Sequence, residues 1–481
     1  MERTLEPRAS APGAAADQQA LQATVAQKLA EHLAAIQINN ISAKAKQVAI
    51  SCIIDTIGVT LLGATEPVVS VLQKALAADV TQGKALVFGG RRRAGVLEAA
   101  FVNGTASHAA DYDDMAHAMG GHPSVTLVPV IFALGESLGS TGAEVLEAYV
   151  VGFEAECRIG HVVNPDHYER GWHPTSTIGV FGAAAAAARL LKLDVRGTTT
   201  ALAIAASLGS GVKANFGTMT KPLHVGQCVR NGLMAAQLAA GGFTANPGVL
   251  EHKQGYFQAY DGLANVHIDH LLIGVGEGLE VEQDSVGVKQ FPCCGSTHPA
   301  VRGMLALRSQ GLKPDDVESI EIMTNRRRLP HTNNPNPQSA LGAKFSIQYA
   351  TARALIDGAP RLRHFEGEAF LEPAVRELLA KTSVAAYPPT IEAAAHEEVN
   401  EMAADLTVVT KAGKTLHSHA PHQLGRGGAD PMSIDEMLEK YTDCASRLLP
   451  PSQIDASFKA LQQLEACRNV AEIAQLFEVT A

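Results

Sequence analysis

Apolar, alanine-rich segments follow one another between Leu21 and Gly274, and they restrict the fold more than any other part of the sequence. The segments VTLVPVIFALGESL (125–138) and FGAAAAAARLL (181–191) are apolar on nearly every side. A helix of this kind has to be buried inside a large domain or a membrane. No uninterrupted apolar run reaches the roughly 18 to 20 residues of a membrane span. We therefore expect a large helical domain with small residues at its helix contacts.

The pattern changes near Phe291. The segment VESIEIMT (317–324) alternates like a β-strand, and DLTVVTKAGKTLHSHA (405–420) is typical of a hairpin, with helical segments between the two. We predict a mainly α protein in which a large all-helical domain carries an inserted, smaller α+β lid domain. The predicted parts are a disordered tail (1–20), the helical domain (21–285), the lid domain (286–420) and C-terminal helices that return to the helical domain (421–481).

Charge and cysteine content narrow the class of protein. The net charge of -10 argues against nucleic acid as a partner, because neutralising phosphates requires a basic surface. The seven cysteines are scattered and odd in number, which favours reduced thiols in the cytoplasm. The first residues lack the apolar segment of a secretory signal. We expect a cytoplasmic protein that binds neither membrane nor nucleic acid.

The segment HAADYDDMAHAMGGHPS (108–124) concentrates histidines and aspartates ahead of a Gly-Gly-His-Pro break. If a helix continues to the glycines, His108, Asp111 and Met115 share one face and Asp113 points away from it. His122 then lies in the turn that follows. A carboxylate and a histidine on either side of a helix end are suited to proton transfer, so this segment predicts an active site.

Two further segments carry groups that could bind an anion. His173 precedes Pro174 at the start of a buried helix, where Thr175 and Ser176 add hydroxyl donors. An ordinary capped helix start explains the same residues. Lys221 lies in an uncharged segment just before a helix expected near His224, and it could bind a carboxylate. The alternative is a surface lysine.

The remaining candidates are each consistent with a structural role as well. His298 and Arg302 lie one helical turn apart, where Arg302 could bind a carboxylate or simply face solvent. Tyr349 lies in an apolar helix and is more often a core residue than a catalytic one. Tyr168 could transfer a proton if its pKa were perturbed, but an exposed loop tyrosine is the simpler interpretation.

A metal site must also be weighed for the histidine-rich segment. His108, Asp111, Asp114, His117 and His122 have no spacing that matches a recognised zinc ligand set. No phosphate-binding loop, dinucleotide motif or nucleophile elbow is present in the sequence. We predict that the chain uses neither a metal nor an organic cofactor.

Taken together, several long segments resemble the MmgE/PrpD family. They occur in family order over nearly the whole chain: AAFVNGTASHAADYDD, GHPSVTLVPVIFALGE, GWHPTSTIGVFGAAAAAARLL, GTMTKPLHVGQCVRNG, FPCCGSTHPA, KFSIQYATARALIDG and DPMSIDEMLEKY. The resemblance implies a helical domain with a smaller α+β lid, a site between them, and a homodimer. It also implies action on small polycarboxylates without a cofactor. The site residues that it implies are Asp111, His122, His173, Lys221, His298 and Tyr349.

The resemblance offers three reactions. Dehydration of a 2-methylcitrate-type substrate, catalysed by a carbon–oxygen lyase, comes first on the breadth of the family. Epimerisation of iminodisuccinate follows, because NFGTMTKP and the spacing of Tyr168 and His173 resemble that branch. Decarboxylation of cis-aconitate comes third, because that branch has threonine where this chain has Met115. A metal-dependent hydrolase and a non-catalytic helical binding protein remain as alternatives from other classes.

All three reactions place negative charge on a carbon next to a carboxylate, which fixed cationic donors can stabilise. We expect His173, Lys221 and Arg302 to bind the di- or tricarboxylate, with His108 nearby, and Asp111 to orient His122. A dehydratase needs a second acid, for which His298 and Tyr349 are candidates. An epimerase needs two groups on opposite faces of one carbon, which would be Lys221 and Tyr168.

Overall fold

Helices dominate the computed structural model, which describes residues 23–77, 81–283, 286–388, 403–420, 425–427 and 430–479. The predicted disordered tail lies outside the described residues. The helices up to residue 260 are α1 (Val25–Ala35), α2 (Ala43–Gly63), α3 (Pro67–Leu76), α4 (Val96–Ser107), α5 (Ser124–Leu138), α6 (Gly142–Val163), α7 (Asp166–Glu169), α8 (Pro174–Thr177), α9 (Gly179–Leu190), α10 (Val195–Ala205), α11 (Thr220–Ala240) and α12 (Tyr256–Tyr260). Two short antiparallel pairs accompany them: β1 (Ala85–Leu86) with β2 (Arg93–Ala94), and β3 (Met115–Ala116) with β4 (Val286–Gly287).

Small residues allow the central helices to pack with their backbones close together. A methyl group added at Gly232 of α11 would lie 2.5 Å from the Ala183 side chain and 2.7 Å from the carbonyl oxygen of Val180, both on α9. A methyl group at Gly152 of α6 would lie 2.9 Å from the carbonyl oxygen of Gly182. Alanine and glycine therefore lie at the contacts between α6, α9 and α11, as the sequence predicts.

The α+β lid is built around one four-stranded sheet with the order β6–β5–β7–β8. β5 runs parallel to β6 and antiparallel to β7, and β7 and β8 form the predicted hairpin. An apolar core, distinct from that of the helical domain, lies between the sheet and its helices. The elements are α13 (His298–Ser309), β5 (Val317–Thr324), α14 (Leu329–Thr332), α15 (Ala340–Lys344), α16 (Ile347–Asp357), α17 (Pro373–Ala380), β6 (Thr382–Ala386), β7 (Ala404–Thr410) and β8 (Thr415–Ala420). The predicted fold class, mainly α with a small sheet domain, is confirmed.

The last helices return to the core of the helical domain. They are α18 (Ile434–Ala445), α19 (Pro451–Gln462) and α20 (Val470–Ala474), and their apolar residues join the same buried cluster as those of α1 to α11. Tyr441 of α18 packs directly against Gly58 of α2. By length and composition alone α2 could cross a membrane, but most of it is buried in this core, including Asp55.

The segment after α4 does not continue as a helix, so the prediction that His108, Asp111 and Met115 share one helical face is wrong. α4 ends at Ser107, His108 caps it, and Asp111 has a left-handed backbone with φ of 54°. Aspartate tolerates this conformation better than most residues. Met115 then enters β3, which pairs with β4 at the start of the lid.

Candidate active site

Two lysines converge on Asp111. Nζ of Lys221 lies 2.6 Å from Oδ1 of Asp111, and Nζ of Lys289 lies 3.5 Å from the same oxygen. Lys289 also donates to the carbonyl oxygen of Asp111 at 2.6 Å, which holds the left-handed turn in place. The sequence prediction placed Lys221 before its helix, but α11 begins at Thr220, so Lys221 lies in the first turn.

The contacts between Asp111 and the two lysines determine which of these groups is charged. Burial favours the neutral acid, yet Lys221 and Lys289 together hold the pKa of Asp111 well below its ordinary range. Burial opposes the charge on Lys289, but Asp111 raises the pKa of that lysine above its ordinary value. One carboxylate therefore faces two ammonium groups. These three side chains alone carry one net positive charge, and the carboxylate of Asp113 also acts on Lys289.

His122 is paired with Asp113, so the prediction that Asp111 orients it is wrong. Oδ2 of Asp113 lies 2.8 Å from Nδ1 of His108 and 2.9 Å from Nδ1 of His122. Asp113 and His108 are fully buried, whereas 11% of the His122 side chain is exposed. The expectation that Asp113 points away from the site fails because it assumed a continuous helix. Burial lowers the pKa of His108 to about 4, although Asp113 opposes this shift.

His173 joins this group as the residue that precedes α8. Its ring lies 5.6 Å from that of His108 in a stacked arrangement, and its Nδ1 lies 3.2 Å from Nδ1 of His224. Nε2 of His173 is buried without a hydrogen-bond partner. Burial, followed by the charges of His108 and Lys221, lowers the pKa of His173 well below its ordinary value. His173 is therefore neutral at neutral pH.

The hydroxyls of Thr175 and Ser176 are close to these histidines and already bonded within the protein. Thr175 Oγ1 accepts a hydrogen bond from the backbone N–H of His122 at 3.1 Å. Ser176 Oγ donates to the carbonyl oxygen of His224 at 2.9 Å. Both residues thus support the histidines, and direct binding of substrate by them stays a prediction.

Lys440, a buried lysine of α18, contacts the backbone of the segments that form the site. Nζ of Lys440 donates to the carbonyl oxygens of Tyr112 at 2.9 Å and Lys289 at 2.8 Å, and it lies 2.5 Å from Oδ1 of Asp55. Tyr112 and Lys289 belong to the two segments that present the Asp111 group. Lys440 therefore links those two backbones to α2.

Tyr168 is 38% exposed, and the charge of Asp111 reaches it weakly enough to rank last among the causes that shift its pKa. Nζ of Lys213 lies 3.3 Å from the centre of its ring. Burial raises the pKa of Tyr168, an effect that Arg328 partly opposes. The phenol therefore keeps its proton at neutral pH and can act as an acid but not as a base.

His298, predicted as a catalytic acid, holds the loop that follows Lys289. Its Nε2 lies 3.1 Å from the carbonyl oxygen of Phe291 and 3.2 Å from that of Cys293, which commits the proton on this nitrogen. Burial and then the charge of Lys289 lower its pKa to about 3. His298 is consequently neutral, and its contacts are structural.

The structure does not bring Tyr349 to the Asp111 group. Its hydroxyl donates to the carbonyl oxygen of His364 and accepts from Nε of Arg353 at 3.0 Å, so these bonds lie inside the lid core. The predicted catalytic role of Tyr349 therefore gives way to the core role that the sequence also allowed. Arg302 contacts Asp430 at 3.2 Å, and its binding of substrate stays a prediction.

Donor atoms of His108, Asp113 and His122 lie within 4.8 Å of one another, as the ligands of a metal ion do. Their nitrogen–oxygen distances of 2.8 and 2.9 Å are hydrogen-bond lengths. Two ligands of a tetrahedral zinc ion lie about 3.3 Å apart. The group of metal ligands considered from the sequence does not form. Asp111 contacts lysines instead, and Asp114 accepts a hydrogen bond from Ser124. The absence of a metal stays a prediction.

Sequence reasoning missed Asp113, Lys289 and Lys440. Asp113 was assigned to the wrong face because a helix was assumed there. Lys289 lies in VGVKQFP, where one lysine among apolar residues is a signal for a buried, paired charge. Lys440 lies in a helix with an ordinary amphipathic pattern, and no local signal distinguishes it.

Comparison with known proteins gives two family matches and several relatives. The MmgE/PrpD N-terminal domain matches residues 27–269, and the MmgE/PrpD C-terminal domain matches residues 291–465. The chain is 29% identical to cis-aconitate decarboxylase of Homo sapiens over 470 residues, which covers 95% of each protein. It is 30% identical to cis-aconitate decarboxylase of Mus musculus over 398 residues, 79% of this chain and 78% of the relative. The cis-aconitate decarboxylase-like protein oryM of Aspergillus oryzae is 26% identical over 476 residues.

Proposed function

The chain belongs to the MmgE/PrpD family, and on this basis we propose that it is a lyase acting on a small di- or tricarboxylate without a metal or organic cofactor. The observation that carries the proposal is the convergence of Lys221 and Lys289 on Asp111. Neutral histidines with buried, uncommitted Nε2 atoms, His108 and His173, lie beside this group.

The two lysines address the main difficulty of the reaction. Removing a proton next to a carboxylate places negative charge on the carboxylate oxygens as an enediolate. Ammonium groups that the fold already holds at the site stabilise this charge with little reorganisation during the reaction. Lys289 is 2% exposed and Lys221 14%, so water weakens their field less than it would at the surface.

Proton transfer is assigned to His122 and Tyr168. His122, close to the carboxylate of Asp113, accepts the proton from carbon. Tyr168, which keeps its proton at neutral pH, donates to the departing group. This assignment replaces His298 and Tyr349 as the predicted acids, because Nε2 of His298 and the hydroxyl of Tyr349 are already bonded to backbone carbonyl oxygens.

Dehydration of a 2-methylcitrate-type substrate is the leading reaction. It needs a base for the C–H bond and an acid for the hydroxyl that leaves as water, and the histidines and Tyr168 can supply both. Decarboxylation of cis-aconitate is the second candidate, because the relatives from Homo sapiens and Mus musculus carry that name. Decarboxylation needs the enediolate stabilisation and one proton donor, but no base at carbon.

A substrate panel followed by NMR in D2O tests these assignments. Dehydration of 2-methylcitrate produces new alkene carbons, whereas decarboxylation of cis-aconitate releases carbon dioxide. Epimerisation of iminodisuccinate exchanges deuterium at carbon without loss of water, and that outcome would replace the lyase assignment. No turnover of any of these acids would refute the proposed function.

Matched lysine variants separate the site from general effects. Lys221→Met should abolish most turnover, because the enediolate loses one of its two cations. Lys46→Met is the control, since Lys46 also pairs with a carboxylate, that of Glu465 at 2.6 Å, but in a partly exposed pair at the first turn of α2. Equal loss of activity in both variants would contradict the role given to Lys221. The predicted homodimer stays a prediction that sedimentation can check.

A further inference from the structure

One buried carboxylate oxygen serves two histidines. Asp113 is 0% exposed, and its Oδ2 lies 2.8 Å from Nδ1 of His108 and 2.9 Å from Nδ1 of His122. The two rings lie 4.7 Å apart, edge to face. Burial opposes ionisation of Asp113, but the two histidines hold its pKa well below the ordinary range. Asp113 is therefore a carboxylate that can only accept hydrogen bonds.

This arrangement selects one tautomer for each histidine. A lone pair on Nδ1 at these distances would be repelled by the carboxylate, so Nδ1 has to carry the proton. The His108 contact is aligned as a hydrogen bond, whereas the His122 contact is close but turned away from that direction. The repulsion argument holds for both, because it depends on distance and charge. A neutral imidazole has one N–H, so Nε2 of each ring is left unprotonated.

Two other His–Asp contacts show what is particular to this one. His167 lies 3.0 Å from both oxygens of Asp261, but its Nε2 is used by Thr177 Oγ1 at 2.7 Å. His419 lies 2.6 Å from Asp405 on an exposed surface of the lid sheet. At Asp113, in contrast, Nε2 of the buried His108 has no partner, and 11% of the His122 side chain is exposed.

We infer that Asp113 is a positioning residue that fixes His108 and His122 as Nδ1–H tautomers, so that His122 offers an unprotonated Nε2 to the substrate. The inference rests on the proposed function, because it names the atom that receives the proton. When the C–H bond breaks, the proton goes to Nε2 and the electron pair stays on the substrate as the enediolate held by the lysines. The carboxylate of Asp113 then stabilises the imidazolium that has formed.

The tautomers can be measured without any substrate. Long-range ¹H–¹⁵N NMR of the full chain, labelled in histidine, distinguishes a protonated Nδ1 from a protonated Nε2. His108→Gln and His122→Gln variants assign the two sets of signals. We expect each of the two rings, in its neutral form, to be the Nδ1–H tautomer. A protonated Nε2 in either neutral ring would overturn the inference.

The Asp113→Asn variant tests whether the carboxylate of Asp113 fixes the two tautomers. An amide carries no charge to repel a lone pair on Nδ1, and its nitrogen can donate to Nδ1, so the Nε2–H tautomer should become populated in at least one of the two histidines. The signals of His167 report whether the fold is intact, and Asp405→Asn is the control that should alter only His419. Unchanged tautomers in a folded Asp113→Asn protein would refute the inference. If this variant does not fold, the tautomers of the unmodified protein decide.

Activity gives an independent readout. In Asp113→Asn, kcat should fall roughly a hundredfold or more while KM changes little, because the tautomer matters for proton transfer and not for binding. An unchanged kcat in the folded variant would also overturn the inference. If the unmodified protein turns over no polycarboxylate, the proposed function fails, and the NMR result still decides whether Asp113 positions the histidines.

Discussion

Replacing Lys440 by methionine should destabilise the protein far more than loss of an ordinary lysine. Its ammonium group and the carboxylate of Asp55 are almost fully buried, with 3% and 0% of the side chains exposed. The same group satisfies the carbonyl oxygens of Tyr112 and Lys289. Methionine fills similar space but leaves a buried carboxyl and two buried carbonyls without their donor.

The pKa of Asp55 shows how strongly burial disfavours its charge even with Lys440 present. Burial raises it from the ordinary 3.8 to about 6, even though Lys440 lowers it. A rise of this size corresponds to about 3 kcal/mol against the ionised form in the parent protein, and loss of Lys440 adds to this cost. Removing one partner of a buried pair typically costs about 3–5 kcal/mol. We expect Lys440→Met to lower the free energy of unfolding by about that amount at neutral pH.

The loss of stability in Lys440→Met should also depend on pH. The folded state holds the Asp55 proton more tightly than the unfolded chain, so this stabilising contribution is complete below pH 3.8 and is lost as pH rises through about 6. Without Lys440 the pKa of Asp55 rises further, and the loss continues to higher pH. The difference between the two proteins should therefore be larger at pH 8 than at pH 5.

Urea unfolding followed by circular dichroism measures both effects. The double variant Asp55→Asn/Lys440→Met should recover part of the stability, because no buried carboxyl is left without its partner. Lys46→Met, which breaks a partly exposed pair, should cost less than about 1 kcal/mol. If Lys440→Met differed from the parent by less than about 1 kcal/mol, or by the same amount at both pH values, this reasoning would be wrong.

Three further changes have defined outcomes. Tyr349→Phe should lower the free energy of unfolding by about 1–3 kcal/mol, because a buried carbonyl loses its donor, while kcat/KM measured on the substrate found in the panel stays within about twofold. Gly232→Ala should lower it by about 1–3 kcal/mol in urea unfolding, because the methyl group meets α9. Burial raises the pKa of Asp114 to about 7, so its contribution to stability falls as pH rises through that value; Asp114→Asn should flatten the decrease in stability measured between pH 5 and 8.

The helical domain and the lid were predictable because their signals are local. α5 and α9 have apolar residues on all sides, and β5 and the β7–β8 hairpin alternate with period two around a glycine turn. Each pattern records burial on one or more faces of a single element. The packing of the elements then follows from their small residues, such as Gly232.

The sequence pointed to some residues of the candidate site but not to the pairs that they form. Asp111, His122 and Lys221 were found from unusual local segments. Their partners come from far along the chain, since Lys221 lies 110 residues and Lys289 178 residues after Asp111. The turn at Asp111 is stabilised by these distant lysines, so the local sequence still resembles a helix. Two assignments failed for this reason, the shared helical face and the pairing of Asp111 with His122.

The hydrogen bonds of Lys440 can form only late in the synthesis of the chain. The backbones at Tyr112 and Lys289 acquire their common donor only after residue 440 has left the ribosome. Until then the Asp111 segment and the Lys289 segment are joined by contacts that do not involve Lys440, such as that of Lys289 with Asp111 and the β3–β4 pair. A chain that ends before α18 would thus contain the histidines and lysines of the candidate site but lack Lys440, which links the backbones at Tyr112 and Lys289.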